Sequence, residues 1–299
     1  MRSLRKLGEF GLIDAIKKSV PVKKEVVKGI GDDAAILPLD KKRNFLLTTD
    51  MLVEGVHFGL KDSRNLVGRK ALAVSISDIA AMGGVPKFAV VSLGVSKKMR
   101  AQEVKDIYKG LSEIAKIFDV SIVGGDTVQS DKLIINIALT GEARKKDIIL
   151  RSGAKPGDVI FVTGVLGRSL KTKKHLNFIP RFQYSQYLVK KFKPSAMIDV
   201  SDGLSSDLKH ILSESNVGAV IDEERIPCAK GATSAQALCD GEDFELVFTL
   251  TKKKAEVFKR QKKVTFYEIG VIVHERNGFM LRSRDGKLCR IAKEGYRHF

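Results

Sequence analysis

The chain alternates short runs of β-branched and aromatic residues with longer stretches in which apolar residues recur at helical spacing. This alternation is typical of a mixed α and β fold. The first half predicts strand 45–49, helix 66–82, strand 88–95, helix 101–118, strand 121–123, a turn at 124–126 and strand 133–142. The second half predicts strands 159–163, 196–200, 219–221, 245–250 and 267–273, with a helix at 204–214.

One interruption of this periodicity stands between the two halves. Residues 144–157 combine charged side chains with Gly153, Pro156 and Gly157, which is typical of a linker. We therefore predict an N-terminal domain at 1–143 and a C-terminal domain at 144–299, each with α and β structure and each near the usual domain size.

The composition of this 299-residue chain, with 43% hydrophobic residues, is sufficient for a substantial core. No window offers the roughly twenty uninterrupted apolar residues of a membrane span, and residues 1–19 have no apolar signal-peptide core. We expect a cytoplasmic protein without membrane contact. Cys228, Cys239 and Cys289 lack paired ligand spacing, so neither a disulfide framework nor a zinc site is indicated.

The formal charge of +18, from 53 basic and 35 acidic residues, suits a polyanionic partner such as nucleic acid or a phosphorylated metabolite. The lysines cluster in polar runs at 171–174 and 252–254. These runs have no interleaved aromatic residues, so we interpret them as solvated surfaces and disfavour nucleic acid as a partner.

Short segments that place an aspartate beside a glycine or a small hydroxyl residue are the main chemical signal. They are 29–35 with Asp32 and Asp33, 48–50 with Asp50, 77–83 with Asp78, 124–127 with Asp126, and 199–203 with Asp199 and Asp202. We expect them at strand ends. One such segment alone is more typical of a turn or a helix cap, but five favour a shared Mg²⁺ cluster. Asp78 is the strongest candidate, because it falls on the inner face of an otherwise apolar helix.

Phosphate-binding motifs of the common kinds are absent from the sequence. There is no Walker A motif, the glycines at 29–31 do not by themselves define a phosphate loop, and the protein-kinase signatures are missing. An ATP-using protein of this kind has to hold the triphosphate chiefly through metal ions and backbone amides.

The same segments carry a resemblance to a known family. The stretches are GEF at 8–10, IGDDAA at 30–35, TTDMLVEGVHF at 48–58, KALAVSISDIAAMG at 70–83, VGGDT at 123–127, RSGAKPGD at 151–158, IDVSDGL at 198–204, GEDFEL at 241–246 and GYRHF at 295–299. In order and spacing they resemble the thiamine-monophosphate kinases, which belong to the superfamily of aminoimidazole ribonucleotide synthetase. The resemblance covers nearly the whole chain.

The resemblance implies an α+β, two-domain aminoimidazole ribonucleotide synthetase-like fold. Its N-terminal domain binds ATP and Mg²⁺ and pairs in a homodimer, and its C-terminal domain completes the active-site cleft. The implied activity is the Mg²⁺-dependent transfer of a phosphoryl group from ATP to thiamine monophosphate, the last step in making thiamine diphosphate.

The resemblance also implies roles for individual residues. The metal-binding positions are Asp32 or Asp33, Thr48, Thr49, Asp50, Asp78, Asp126, Asp199 and Asp202. The ATP-contacting positions are Tyr108, Gly125, Asp126, Arg151 and Ser201. The acceptor positions are His57 and Glu242, and Tyr296 or Phe299 offers an aromatic face for the cationic thiazolium ring.

The chemistry of the reaction agrees with this set of residues. A phosphate monoester has its second pKa near 6, so the acceptor oxygen is already anionic at neutral pH and needs no strong general base. The obstacle is repulsion between two polyanions. Several Mg²⁺ ions bound by Asp50, Asp78 and Asp126 would screen it, with Asp50 and Asp78 each bridging more than one ion and Arg151 clamping the triphosphate.

Two regions depart from the family pattern, and both concern the acceptor more than ATP. Residues 167–196 are fewer than usual and carry Arg168 where a small or acidic residue is common, and Lys293 and Glu294 replace a frequent aromatic position.

Two kinds of alternative function stay open. Among ATP-using relatives, selenophosphate synthetase needs an N-terminal reactive cysteine, whereas the first here is Cys228, and the hydrogenase-maturation protein ends in cysteine where Phe299 stands. Aminoimidazole ribonucleotide synthetase fits the His57 and terminal segments poorly. A nucleic-acid-binding protein with this fold is disfavoured, because unmetallated carboxylates repel phosphate.

Overall fold

The computed structural model describes residues 4–261, 265–292 and 295–296, and it contains two α+β halves on either side of residues 144–157. None of the helices in these ranges has the length and apolar character needed to cross a membrane.

The N-terminal half is built on a sheet that, within the described residues, has five strands in the order β1-β2-β5-β3-β4. All neighbouring strands are antiparallel except β3 and β4, which are parallel. The elements are α1 Leu4–Ser19, β1 Ala35–Pro38, β2 Arg43–Val53, α2 Arg64–Ala81, β3 Val85–Val95, α3 Ala101–Phe118, β4 Ser121–Gln129 and β5 Ile134–Arg144.

Helix α2 lies at the centre of the molecule. It packs on β2, β5 and α3 and also contacts β7, α5 and α6 of the C-terminal half, so it is buried along most of its length. Two glycines let α2 and α3 approach closely: a Cβ atom at Gly68 would lie 2.0 Å from the Ile107 carbonyl oxygen, and one at Gly110 would lie 1.8 Å from that of Asn65.

The opposite face of the five-stranded sheet carries no helix of this chain among its main contacts in the described ranges. Alternate residues of its strands point outward there, and several are large and apolar. We call this surface the open sheet face and define it by five exposed side chains, Leu47, Met51, Phe88, Val90 and Val128.

The C-terminal half is built on a second sheet, with seven strands in the described residues and the order β12-β11-β8-β10-β6-β9-β7. Neighbours are antiparallel except the parallel pair β8 and β11. The elements are β6 Val159–Val162, α4 Ser169–Thr172, α5 Lys174–Asn177, α6 Phe182–Lys191, β7 Ala196–Asp199, α7 Leu204–Ser215, β8 Val217–Asp222, α8 Ser234–Cys239, β9 Leu246–Leu250, α9 Lys252–Lys259, β10 Tyr267–His274, β11 Phe279–Arg282 and β12 Leu288–Arg290.

The predicted strands and helices are present, and α3 has the predicted bounds. The predicted turn at 124–126 is wrong, because β4 continues through it to Gln129. Gly125 permits this continuation: a Cβ atom there would lie 1.9 Å from the carbonyl oxygen of Val91, its partner in β3. Asp50 and Asp126 therefore lie within strands rather than at strand ends.

Candidate active site

Three aspartates from distant parts of the sequence meet between the two sheets. Asp33 precedes β1, Asp78 lies near the end of α2, and Asp199 is the last residue of β7. One carboxylate oxygen from each lies within 4.8 Å of the others. This acidic cluster joins the N-terminal half to the C-terminal half.

Hydroxyl groups orient the carboxylates. Thr48 Oγ1 donates to Asp78 Oδ2 at 2.5 Å, and Ser77 Oγ donates to Asp199 Oδ2 at 2.5 Å. Asp50 points toward the same side of β2 and accepts a 2.6 Å hydrogen bond from Ser75 Oγ. Helix α2 thus carries one aspartate and positions two others through its serines.

The cluster concentrates negative charge in a buried place. Burial raises the pKa of Asp78 well above its usual range, and the neighbouring Asp50, Asp199 and Asp33 raise it further. Burial, with the charge of Asp33, raises the pKa of Asp199 to about 7. Asp33 Oδ2 is buried and, among the described residues, has no hydrogen-bond partner. Converging hard oxygens with an unpaired acceptor fit a divalent cation such as Mg²⁺.

Arg151 supplies positive charge at the edge of the cluster. Its Nη2 and Nε donate to Asp33 Oδ1 at 2.7 and 3.2 Å, and its backbone N–H donates to Asp32 Oδ1 at 3.3 Å. Burial and the adjacent Asp33 still raise the pKa of Asp32 to about 6. One guanidinium therefore does not neutralise the aspartates around it.

A cleft of about 580 Å³ opens beside Arg151, and we call it the charged cleft. Residues of α1, of the loop before β1 and of α7 line it. They include Glu9, Lys17, Asp32, Arg151, Ser201, Asp202, Asp207, Lys209, His210 and Glu214.

A second cleft of about 380 Å³ lies on the other side of Ser201 and Asp202, which line both. Its walls are more apolar, and we call it the apolar cleft. It is lined by Thr49, Asp50, Met51, Leu52, Val56, His57, Val74, Leu170, Ser201, Asp202, Asp240, Glu242, Phe244 and Tyr296. The three predicted acceptor residues His57, Glu242 and Tyr296 are therefore together, whereas Phe299 lies outside the described residues.

Gly125 and Asp126 are not brought to the cluster within one chain. Asp50 pairs with Ile137, Ile137 with Val91, and Val91 with Gly125, so three strand spacings, roughly 14 Å, separate β2 from β4. Asp126 follows Gly125 in β4, and successive side chains of a strand point to opposite faces of the sheet. The exposed side chain of Asp126 therefore points to the open sheet face rather than toward α2.

Tyr108 also lies apart from both clefts. It belongs to α3, where it packs partly buried against the N-terminal core.

Several residues near the site were not identified as site residues from the sequence. Ser75 and Ser77 hydrogen-bond to the aspartates, and their signal was two hydroxyls in an otherwise apolar helix. Asp207 is buried and accepts the backbone N–H groups of Asp202 and Gly203 at 3.1 and 3.0 Å. Lys70 is a lysine in the apolar part of α2, and the structure places it fully buried.

Comparison with known families agrees with this architecture. The profile of AIR synthase related protein, N-terminal domain, matches residues 31–143, and that of AIR synthase related protein, C-terminal domain, matches residues 155–281. Fold and site therefore define an AIR synthase related protein.

Relatives narrow the class. The thiamine-monophosphate kinase of Bacillus subtilis is 36% identical, covering 98% of this chain and 100% of the relative. The solved thiamine-monophosphate kinase of Aquifex aeolicus superposes with a TM-score of 0.81 at 33% identity, covering 97% of this chain and 100% of that one. AaThiL complexed with AMPPCP and TMP superposes with a TM-score of 0.88 at 33% identity, covering 100% and 99%. The chain belongs to the thiamine-monophosphate kinase family.

Proposed function

We propose that this protein transfers the terminal phosphoryl group of ATP to thiamine monophosphate and forms thiamine diphosphate. The observation that carries the proposal is the acidic cluster beside two clefts that share Ser201 and Asp202. A phosphoryl donor and an anionic acceptor have to meet at such a boundary. The family's names and the AaThiL complex with AMPPCP and TMP support both substrates.

The two clefts differ in chemistry, and this difference supports a different substrate in each. We place the ATP phosphates at the charged cleft, where Arg151 offers a planar set of donors beside the aspartates. We place thiamine monophosphate in the apolar cleft, whose walls suit an aromatic acceptor.

Asp33, Asp78 and Asp199, with Asp50 adjacent, would hold Mg²⁺ ions. When bound, these ions supply positive charge that screens the two substrates from each other and stabilises the transferred group. The chain's own contribution is to fix the carboxylates through Thr48, Ser75 and Ser77.

His57 has a defined orientation in the acceptor site. Its Nδ1 accepts the backbone N–H of Val53 at 3.0 Å, so the neutral ring carries its proton on Nε2. Nδ1 of His57 is thus occupied and does not serve as a base toward the acceptor. An acceptor phosphate that is already anionic at neutral pH requires no base.

A homodimer completes the proposal, because Asp126 is remote from the cluster of its own chain. The open sheet face exposes apolar side chains, among them Met51 at 55% on β2 and Val128 at 55% on β4, two residues after Asp126. Exposed apolar patches of this kind mark interfaces. Met51 lines the apolar cleft as well as this face, so packing of two such faces would bring β4 of a second copy to the rim of that cleft, where Gly125 and Asp126 would act in trans.

One assay tests the function. Purified protein is supplied with ATP and either thiamine or thiamine monophosphate, with Mg²⁺ or with a chelator, and ADP and thiamine diphosphate are quantified. We expect product only with thiamine monophosphate and Mg²⁺. ADP release without thiamine diphosphate, or equal use of thiamine, would remove the proposed acceptor. A cytoplasmic location, where ATP is available, is part of this proposal.

A further inference from the structure

Lys70 connects the two halves of the molecule at the apolar cleft. Its side chain is fully buried in α2. Its Nζ donates to the His57 carbonyl oxygen at 2.7 Å and to Glu242 Oε1 at 2.6 Å. One ammonium group thus contacts the loop after β2 and the loop before β9 at once.

Glu242 is held in an uncommon conformation. Its φ of 53° lies in the left-handed region, which is rare for residues other than glycine. Its N–H donates to the Ser201 carbonyl oxygen at 2.6 Å, and its own carbonyl oxygen accepts from Ser169 Oγ at 2.6 Å. The backbone is therefore fixed on both sides, and Lys70 fixes one oxygen of the side chain.

The second carboxylate oxygen has a different environment. Glu242 Oε2 is buried, has no hydrogen-bond partner among the described residues, and belongs to a residue that lines the apolar cleft. A buried acceptor without a donor costs free energy, and such atoms are rare in native proteins. A ligand that brings a hydrogen-bond donor or a positive charge would satisfy it.

We infer that Lys70 is a positioning residue for the acceptor: it holds Glu242 Oε1 and the His57 loop so that Glu242 Oε2 meets a donor group or cationic ring of the bound acceptor. The inference rests on the proposed assignment of this cleft to thiamine monophosphate. Buried ion pairs contribute little net stability, which favours an orienting role over a merely structural one.

A double-mutant cycle tests the inference. The variants are Lys70→Met, Glu242→Ala and the double variant, and the KM values for thiamine monophosphate and ATP are measured for each. We expect Lys70→Met to raise the acceptor KM roughly 10- to 100-fold, because a small misplacement of a binding group has effects of this size. The ATP KM should change less than about twofold, since Arg151 and the acidic cluster are not in contact with Lys70.

The cycle separates orientation from packing. If Lys70 acts mainly through Glu242, adding Lys70→Met to Glu242→Ala raises the acceptor KM much less than Lys70→Met does in the wild type, and the remainder reports its contact with the His57 loop. An additive effect, or equal increases in both KM values, would overturn the inference. Should Lys70→Met not fold, the double variant removes both buried charges and still gives the comparison with Glu242→Ala.

Lys173→Met is the matched control. Lys173 Nζ pairs with Asp62 Oδ1 at 2.7 Å, which is also a contact between the two halves, but it does not touch Glu242. We expect its acceptor KM to stay within about twofold of the wild type. An increase like that of Lys70→Met would mean that the acceptor KM depends on any contact between the two halves rather than on the position of Glu242. Wild-type protein that makes no thiamine diphosphate would instead overturn the proposed function.

Discussion

A cluster of three aspartates and the single residue Asp126 lie on opposite sides of the N-terminal sheet, and they differ in burial and in packing. Asp33, Asp78 and Asp199 are packed close together where α2 meets the C-terminal half, and burial raises the pKa of each. Asp126 is exposed on β4, at the edge of the same sheet and on its open face. The three clustered aspartates converge within one chain, where we propose a cation site, whereas Asp126 lies apart from that cluster.

This difference suggests how one active site can draw residues from two copies of the chain. A buried acidic cluster requires a folded core around it, which one chain provides. An exposed aspartate on a strand flanked by apolar side chains is suited to meet a second copy. The proposed function therefore depends on two separate statements, one about chemistry within the chain and one about assembly.

Asp78→Asn should have the largest effect on activity, because Asp78 lies in the acidic cluster that we propose holds the Mg²⁺ ions. We expect kcat/KM to fall by roughly a hundredfold to a thousandfold, since metal ions contribute several kcal/mol to phosphoryl transfer. Metal-free protein should at the same time become more stable, because the substitution removes a carboxyl group whose charged form is disfavoured by burial and by the neighbouring Asp50, Asp199 and Asp33. Steady-state kinetics and thermal melts with a chelator measure both effects.

Asp131→Asn is the control for Asp78→Asn. It makes the same change of charge at an exposed loop residue. Both activity and melting temperature should stay at wild-type values. If Asp78→Asn retained both its turnover and its Mg²⁺ dependence, the acidic cluster would not be the metal site.

Asp126→Asn tests the second half of the comparison. Alone it should reduce kcat/KM by roughly a hundredfold, if its carboxylate joins the metal site of the partner. A heterodimer of one Asp126→Asn subunit and one Asp78→Asn subunit, purified by two different tags, contains one intact site of two. Its activity should therefore recover to about half of the wild-type value, as the twofold symmetry requires.

The alternative arrangement gives a different result in that experiment. If Asp78 and Asp126 served the same site from one chain, each site of the heterodimer would carry one defect and no activity would return. Protein that sedimented as a monomer at assay concentrations would contradict the proposed homodimer.

Much of the fold was predictable because its elements are locally encoded. The apolar periods of α2 and α3 predicted these helices, and the segment 144–157, predicted to be a linker, follows the last strand of the first sheet and precedes the first strand of the second. The short helices between residues 167 and 196 were not predicted, because contacts outside the segment stabilise them. Asp243 accepts from the Gly167 N–H at 2.7 Å, and Glu245 accepts from Arg181 Nε at 2.6 Å.

For the candidate site, the sequence indicated the residue types but not the face of the sheet on which each residue lies. Residue type indicated Asp32 or Asp33, Asp78 and Asp199 as candidates, since carboxylates beside glycine and hydroxyl residues in otherwise apolar segments supply the hard oxygen ligands that Mg²⁺ prefers. Sequence alone contained nothing to say that Asp126 points to the other face. The face on which Asp126 lies depends on the strand order and on which alternate residues of β4 point to each side. Only the pairing of β4 with β3 defines these.

Arg151→Lys should have an intermediate effect. Lysine keeps the charge but loses the fork that holds Asp33 Oδ1 through two nitrogens. We expect the ATP KM to rise by about tenfold, with a smaller change for the acceptor, because one charge-assisted hydrogen bond is worth roughly 1.5–3 kcal/mol. Kinetics with each substrate varied in turn measure the two values.

Arg181→Lys is the matched control for Arg151→Lys. Arg181 also donates through two nitrogens to one buried carboxylate, at 2.6 and 2.7 Å to Glu245, but it lines neither cleft. It should lower the melting temperature and leave the ATP KM unchanged. Equal effects of the two variants on ATP would show that Arg151 acts through stability alone.

The pH dependence of stability should show the smallest effect, and its sign is specific to the buried cluster. The pKa of Asp199 rises from 3.8 to about 7 and that of Asp32 to about 6, so between roughly pH 4 and 7 the folded chain holds more protons than the unfolded chain. The free energy of unfolding of metal-free protein should therefore fall as pH rises through this range. The melting temperature should drop by about 2–4 °C for each kcal/mol lost.

Saturating Mg²⁺ should reverse the trend, because cation binding displaces those protons. The affinity for Mg²⁺ then weakens about tenfold per pH unit for each proton displaced as pH falls. Thermal melts at about pH 5 and about pH 8, with a chelator or with Mg²⁺, measure these slopes. Asp126→Asn should leave the chelator slope unchanged, since Asp126 is exposed, whereas Asp78→Asn should flatten it. Metal-free protein that became more stable toward pH 8 would contradict the raised pKa values, and with them the view that Asp33, Asp78 and Asp199 are held together ready for a cation.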